Sequence, residues 1–241
     1  PWSTLKRARR PLMIAMNNIS EYIKSSSSNK TEFYIANGNT TVFIKDRLPD
    51  NINTEEVFNK IQSVVPALFF NNIDVVYIGQ FDVLIERETN ALYSDGAIYI
   101  TNDQDDAEDI VDDFIHELAH SIEENYPMEL YADQELESEF LGKRNRLASI
   151  LKNNDIDISR YNFLKSEFSP ELDTFFYQEI GYPLLSTFTQ GLFYSPYAAT
   201  SLREYFANGF ENFYLRDKNH LKQLSPKLYN KVYSINEIGD Q

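Results

Sequence analysis

The stretch Asp112-Asp113-Phe114-Ile115-His116-Glu117-Leu118-Ala119-His120-Ser121 carries an H-E-x-x-H pattern. At about 100° of helical rotation per residue, His116 and His120 leave one side of a helix a turn apart, so two imidazoles can grip one metal ion. Glu117 points further round the same helix. In a zinc peptidase it takes the proton of the attacking water and later passes it to the leaving amine. Val111, Ile115, Leu118 and Ile122 repeat at helical spacing, which predicts one apolar stripe facing a core. Both histidines fall at the border of that stripe, half supported by packing and half open to a cleft. The plain alternative is an ordinary amphipathic helix with two histidines on its rim.

Working outward, the 241 residues suffice to bury a core and fit one domain or a domain with an appendage. With 22 basic and 37 acidic residues the net charge is -15, which repels nucleic acid backbones and anionic lipid surfaces. The chain has no cysteine, so a disulfide framework, a thiolate metal site and a cysteine nucleophile are all excluded. No apolar run approaches the roughly 20 residues of a membrane span. The short run from Pro11 to Met16, flanked by Lys6-Arg7-Ala8-Arg9-Arg10 and broken by Asn17 and Asn18, reads as a poor signal peptide. These features predict a soluble protein, cytoplasmic or virion-associated, with secretion left open.

Leu12, Met16, Ile19 and Ile23 make a helical stripe, and Ser25 to Ser28 reads as a joint. Residues 1–28 are thus expected to form an arm that docks on its own domain or on a protein partner. Glu32 to Ala36 and Thr40 to Ile44 flank Asn37-Gly38, a pair suited to a β-hairpin turn. Asn53 or Thr54, with Glu55 and Glu56 behind, opens a helix carrying Val57, Ile61 and Val64. Asp74 to Ile78, Asp82 to Glu86 and Gly96 to Thr101 read as strands, the last just before the acidic start of the H-E-x-x-H helix.

A mixed sheet followed by a metal-binding helix is the layout of a zincin, an α+β fold with an active-site helix and a mainly α-helical C-terminal half. In such folds the strand beside the cleft is an edge that pairs with an extended peptide. Ala97, Ile98, Tyr99 and Ile100 are assigned that substrate-binding role, with an interior strand as the alternative. Met128 to Asn153 reads as one long helix with Gly142 as its weak point, and residues 126–195 as a helical insertion within a domain spanning 29–241.

A catalytic zinc site needs a third protein ligand and an open position. The position six beyond His120 is Tyr126, and His220 lies in a polar segment with no supporting pattern. Glu204 is the better candidate, within Tyr197-Ala198-Ala199-Thr200-Ser201-Leu202-Arg203-Glu204-Tyr205-Phe206-Ala207-Asn208-Gly209-Phe210. Ser201-Leu202-Arg203-Glu204 also matches a capping box, in which Glu204 bonds back to the Ser201 N–H instead.

Tyr197-Ala198, Thr200-Ser201, Glu204-Tyr205-Phe206-Ala207 and Phe210, together with the first motif, resemble the metallopeptidase family of the anthrax toxin lethal factor catalytic domain and the Pro-Pro endopeptidases. The resemblance implies a gluzincin, with His116, His120 and Glu204 as zinc ligands, Glu117 as base and Tyr197 stabilising the transition state. It covers the two motifs and the strand before the first, and leaves out the arm and most of residues 121–203. The family often has an acidic residue where Asn208 stands. An asparagine there could still orient a histidine ligand, without charge.

The expected function is zinc-dependent endopeptidase action on a protein or peptide substrate. The rival expectation is a structural or virion-associated protein, such as a phage component, that keeps the fold with little turnover. A zinc hydrolase acting on non-peptide amides is a third.

Overall fold

The computed structural model describes residues 31–35 and 40–239; the expected arm and the Asn37-Gly38 turn lie outside them. The described chain is α+β, with a small mixed sheet followed by a helical C-terminal half. Strands β1 (Thr31–Ile35) and β2 (Thr40–Ile44) pair antiparallel, Thr31 opposite Ile44, as the hairpin reading requires. Asn53 caps α1 (Thr54–Val64), its Oδ1 accepting from the N–H of Glu55 at 3.0 Å and of Glu56 at 3.4 Å. Strand β3 (Val75–Ile78) then pairs parallel to β2.

The segment expected as a strand at Asp82 to Glu86 is instead a short helix, α2 (Asp82–Arg87). Its Val and Ile suggested β structure, but burial follows a helical spacing. Phe81 and Leu84 are buried against Ala97 and Tyr99, while Ile85 is left 60% exposed. Tertiary packing has overridden local propensity here. The helix covers the sheet face on which the rings of Phe43, Tyr77 and Tyr99 stack, at centroid spacings of 5.9 and 5.1 Å.

Strand β4 (Ala91–Ser94) was not foreseen. It turns through Asp95 and Gly96, with φ of 49° and 81°, into β5 (Ala97–Ile100). Two consecutive positive φ values make the tight turn that a two-residue hairpin favours. The sheet order is β1-β2-β3-β5-β4, so Ala97 to Ile100 form an interior strand between β3 and β4, not the edge. All four residues are buried, because core and α2 cover the two faces of this strand. The edge is β4.

Asp106 caps α3 (Ala107–Asn125) through the N–H groups of Glu108 and Asp109. Val111, Ile115, Leu118 and Ile122 are fully buried, as their spacing predicts, and the helix lies against β4 and β5. The long helix expected from Met128 is broken into α4 (Pro127–Tyr131) and α5 (Glu135–Asn153) by Gln134 at φ 60°. Asp133 secures the break, accepting from the Glu135 N–H at 3.1 Å and from Lys231 Nζ at 2.7 Å. Gly142, the expected weak point, passes within α5.

The segment read as an insertion carries α6 (Pro170–Thr174), a π-helical turn over Phe175–Ile180 and α7 (Tyr182–Thr189). It shares the main core through Phe163, Leu172, Phe175, Phe176 and Leu185. Lys143 of α5 is buried and ties it down, donating to the carbonyls of Leu192 and Leu224 and to Ser225 Oγ at 2.6–2.8 Å.

After α8 (Leu202–Leu215) and α9 (Lys218–Leu224) the described residues end in α10 (Pro226–Gly239). Glu139 of α5 caps α10, accepting from the N–H of Lys227 at 2.9 Å and of Leu228 at 3.0 Å. Helix α8 needs a glycine where α10 crosses it, since a Cβ on Gly209 would stand 2.3 Å from Leu228 Cδ2 and 2.6 Å from its Cγ. Gly209→Ala should therefore destabilise the fold by about 1–3 kcal/mol, the usual range for overpacking. Thermal or urea denaturation reads this directly, and an unchanged midpoint would mean that Leu228 gives way without strain. Among the described residues no helix is long and apolar enough to cross a membrane.

Candidate metal centre

Helices α3 and α8 pack side by side, and the two motifs meet across that interface. His116 and His120 lie a turn apart on α3, their rings edge to face with centroids 5.2 Å from each other. Glu204 reaches over from the first turn of α8. Its Oε2 lies 3.0 Å from His116 Nε2 and its Oε1 lies 3.7 Å from His120 Nε2. Ligand atoms of the three residues lie within 4.8 Å of one another. A tetrahedral ion with bonds of about 2.0–2.1 Å sets its donors roughly 3.3 Å apart, and the two Glu204–histidine spacings of 3.0 and 3.7 Å bracket that value. Two imidazole nitrogens and a carboxylate suit a borderline cation such as zinc.

The start of α8 settles how Glu204 divides its groups. Its N–H donates to Ser201 Oγ at 3.1 Å, so the hydroxyl half of the capping box forms. Its carboxylate turns away to His116. Burial alone would raise the Glu204 carboxyl, but the His116 hydrogen bond and the positive groups around it lower it from the ordinary carboxylate value. Burial would likewise lower His116. The bonds to Glu204 and Glu211 prevail and raise it to about 10.

Glu117, next to His116 on α3, is 8% exposed. Its Oε2 accepts from the Tyr93 N–H at 2.6 Å. Thr101 donates to the Asn90 carbonyl, which sets the alternation of the β4–β5 ladder, so the N–H and C=O of Ala91 and Tyr93 face away from β5. One outward edge amide therefore orients the expected base.

Tyr197 lies on a single 3₁₀ turn (Tyr197–Ala199) just before α8 and is 41% exposed. Its hydroxyl is shifted upward by partial burial and then by the charges of Glu204 and Asp173. Thr200 Oγ1 donates to the Tyr197 carbonyl at 2.8 Å and holds the turn.

Two of the expected assignments change. Ala97, Ile98, Tyr99 and Ile100 offer no free strand edge, and that place belongs to β4. Asn208 makes no hydrogen bond to either histidine. It is 8% exposed, with Oδ1 buried and unpartnered. Its amide is short, and one turn further along the same face Glu211 has the reach, lying 3.6 Å from His116 Nδ1. Behind the other ligand, Glu123 Oε2 lies 2.9 Å from His120 Nδ1. Neither glutamate was anticipated, although each sits at helical spacing from a ligand: Glu123 three beyond His120 and Glu211 seven beyond Glu204. A scan against family models and searches of curated proteins and of solved structures gave no match to this chain.

Proposed function

We propose that this chain is a zinc-dependent endopeptidase of the lethal factor-like, Pro-Pro endopeptidase-like kind, with a zincin-like fold. The observation that carries the reading is the convergence of His116 Nε2, His120 Nε2 and the Glu204 carboxylate, with buried Glu117 held by an edge-strand amide beside them. Zinc, when bound, supplies Lewis-acid polarisation of a carbonyl and lowers the pKa of a water molecule. An extended peptide is expected to run along β4 and take up its outward-facing groups other than the Tyr93 N–H, which Glu117 occupies. Glu117 accepts the proton of the attacking water and returns it to the leaving amine. Tyr197 donates its hydroxyl proton in a hydrogen bond to the oxyanion as charge develops there.

The test is made on the wild-type chain. Elemental analysis should find about one zinc per chain. A mixed library of unstructured peptides should be cut, with cleavage read by mass spectrometry, abolished by a chelator and restored by zinc. Glu204→Ala should lose the metal. Full occupancy in that variant would remove Glu204 from the ligand set, and a wild type that binds no zinc would overturn the reading. Stoichiometric zinc with no peptide cut would favour the structural or virion-associated alternative.

A further inference from the structure

His120 is 6% exposed, and two groups compete for one of its ring nitrogens. Nδ1 lies 2.9 Å from Glu123 Oε2 and 3.0 Å from Arg203 Nε. An imidazole nitrogen has a single in-plane position, so it serves one of these partners at a time. If Nδ1 carries the hydrogen it donates to the carboxylate. If Nδ1 is bare it accepts from the arginine, and the neutral ring then carries its hydrogen on Nε2. Nε2 is the nitrogen turned towards Glu204, 3.7 Å from Oε1. Only the first arrangement leaves an Nε2 lone pair for a cation.

We propose that Glu123 is a positioning residue that selects the metal-binding tautomer of His120, and that Arg203 is its competitor. The site around Glu123 is built for this. Its side chain is 11% exposed, and its other oxygen, Oε1, is held by the Tyr131 hydroxyl. A helical spacing of three residues sets the carboxylate beside the ring it orients. Arg203 has an alternative partner at hand when Nδ1 is protonated, since its Nε lies 3.6 Å from Glu123 Oε2. The arginine side chain is 56% exposed, so it can move without disturbing the core. Metal-ligating histidines held through their second nitrogen by a carboxylate bind more tightly, and loss of such a partner typically weakens metal affinity about 10- to 100-fold.

The experiment reads the tautomer first, in protein without metal, so it does not depend on the peptidase reading. Nitrogen NMR of ¹⁵N-histidine-labelled protein separates a protonated ring nitrogen from a bare one. Glu123→Met should move the His120 hydrogen to Nε2, with Nδ1 accepting from Arg203. Arg203→Met should fix it on Nδ1. Zinc competition with a chromophoric chelator then reads the consequence, which rests on the proposed metal centre: affinity about 10- to 100-fold weaker in Glu123→Met, and tighter in Arg203→Met. The same His120 tautomer in wild type and both variants would overturn the proposal whatever the zinc affinities. Should Glu123→Met fail to fold, the exposed Arg203 position carries the test, and an Nε2 hydrogen in Arg203→Met would overturn it. The expected tautomers with no zinc bound by any form would sustain the role of Glu123 and sink only the metal-centre reading.

Discussion

Glu117→Gln should keep its zinc and lose hydrolysis by about 10²- to 10⁴-fold, the range that a positioned acid–base group supplies. The substitution tests chemistry with little change in packing. Glutamine has the size of the 8% exposed side chain it replaces, and its carbonyl oxygen can still accept from the Tyr93 N–H. What disappears is a group able to take a proton. Burial pushes the Glu117 carboxyl up to about 7, against the pull of His116 and the Tyr93 amide, so the proposed base is poised near neutrality. That shift also fixes the sign of the stability effect in metal-free protein. A carboxyl whose folded value lies above its unfolded one contributes stability while protonated, and that contribution is lost as pH rises through about 7. Above neutrality the uncharged glutamine escapes this loss, so the metal-free variant should melt no lower than wild type. Zinc content by elemental analysis and turnover on a cleaved library peptide decide the matter together. Wild-type turnover in Glu117→Gln would end its role as base, and loss of zinc would show that the carboxylate supports the ligands instead.

The H-E-x-x-H helix was legible because three signals agreed on one segment: the acidic start over Asp105 to Asp109, the stripe through Val111, Ile115, Leu118 and Ile122, and histidines at the border of that stripe. Glu204 was ambiguous for a physical reason. Its backbone does what a capping box asks while its side chain does what a ligand site asks, and both groups belong to one residue. The edge strand was missed because Ala91–Ser94 is four residues long and alternates buried and half-buried positions over too short a span to stand out. Its neighbour held a usable signal: Ala97-Ile98-Tyr99-Ile100 is apolar throughout, the pattern of a strand covered on two faces. Glu123 and Glu211 were hidden by the reverse problem. Acidic residues are abundant in a chain of net charge -15, and only the fold separates the two that back a histidine from those on the surface.

Tyr197→Phe should lower kcat by about 10²- to 10³-fold, the typical loss when one oxyanion donor is removed, and raise KM far less. The split follows from when the hydrogen bond forms. A hydroxyl that donates only as charge develops on the carbonyl oxygen binds the transition state and leaves the bound substrate nearly untouched. Zinc content should stay level, because the proposed donor set is His116, His120 and Glu204. Stability should also stay level. The ring is 41% exposed, and the turn that presents it is closed by main-chain and Thr200 contacts that the phenyl side chain leaves in place. The hydroxyl is held in its protonated form by partial burial and by the Glu204 charge, which is the state a donor needs. Steady-state cleavage of a library-derived peptide, at matched zinc occupancy, gives the comparison. An unchanged kcat would take Tyr197 out of the mechanism. A rise in KM with kcat intact would make it a substrate contact alone, its hydroxyl binding the ground state and the transition state equally.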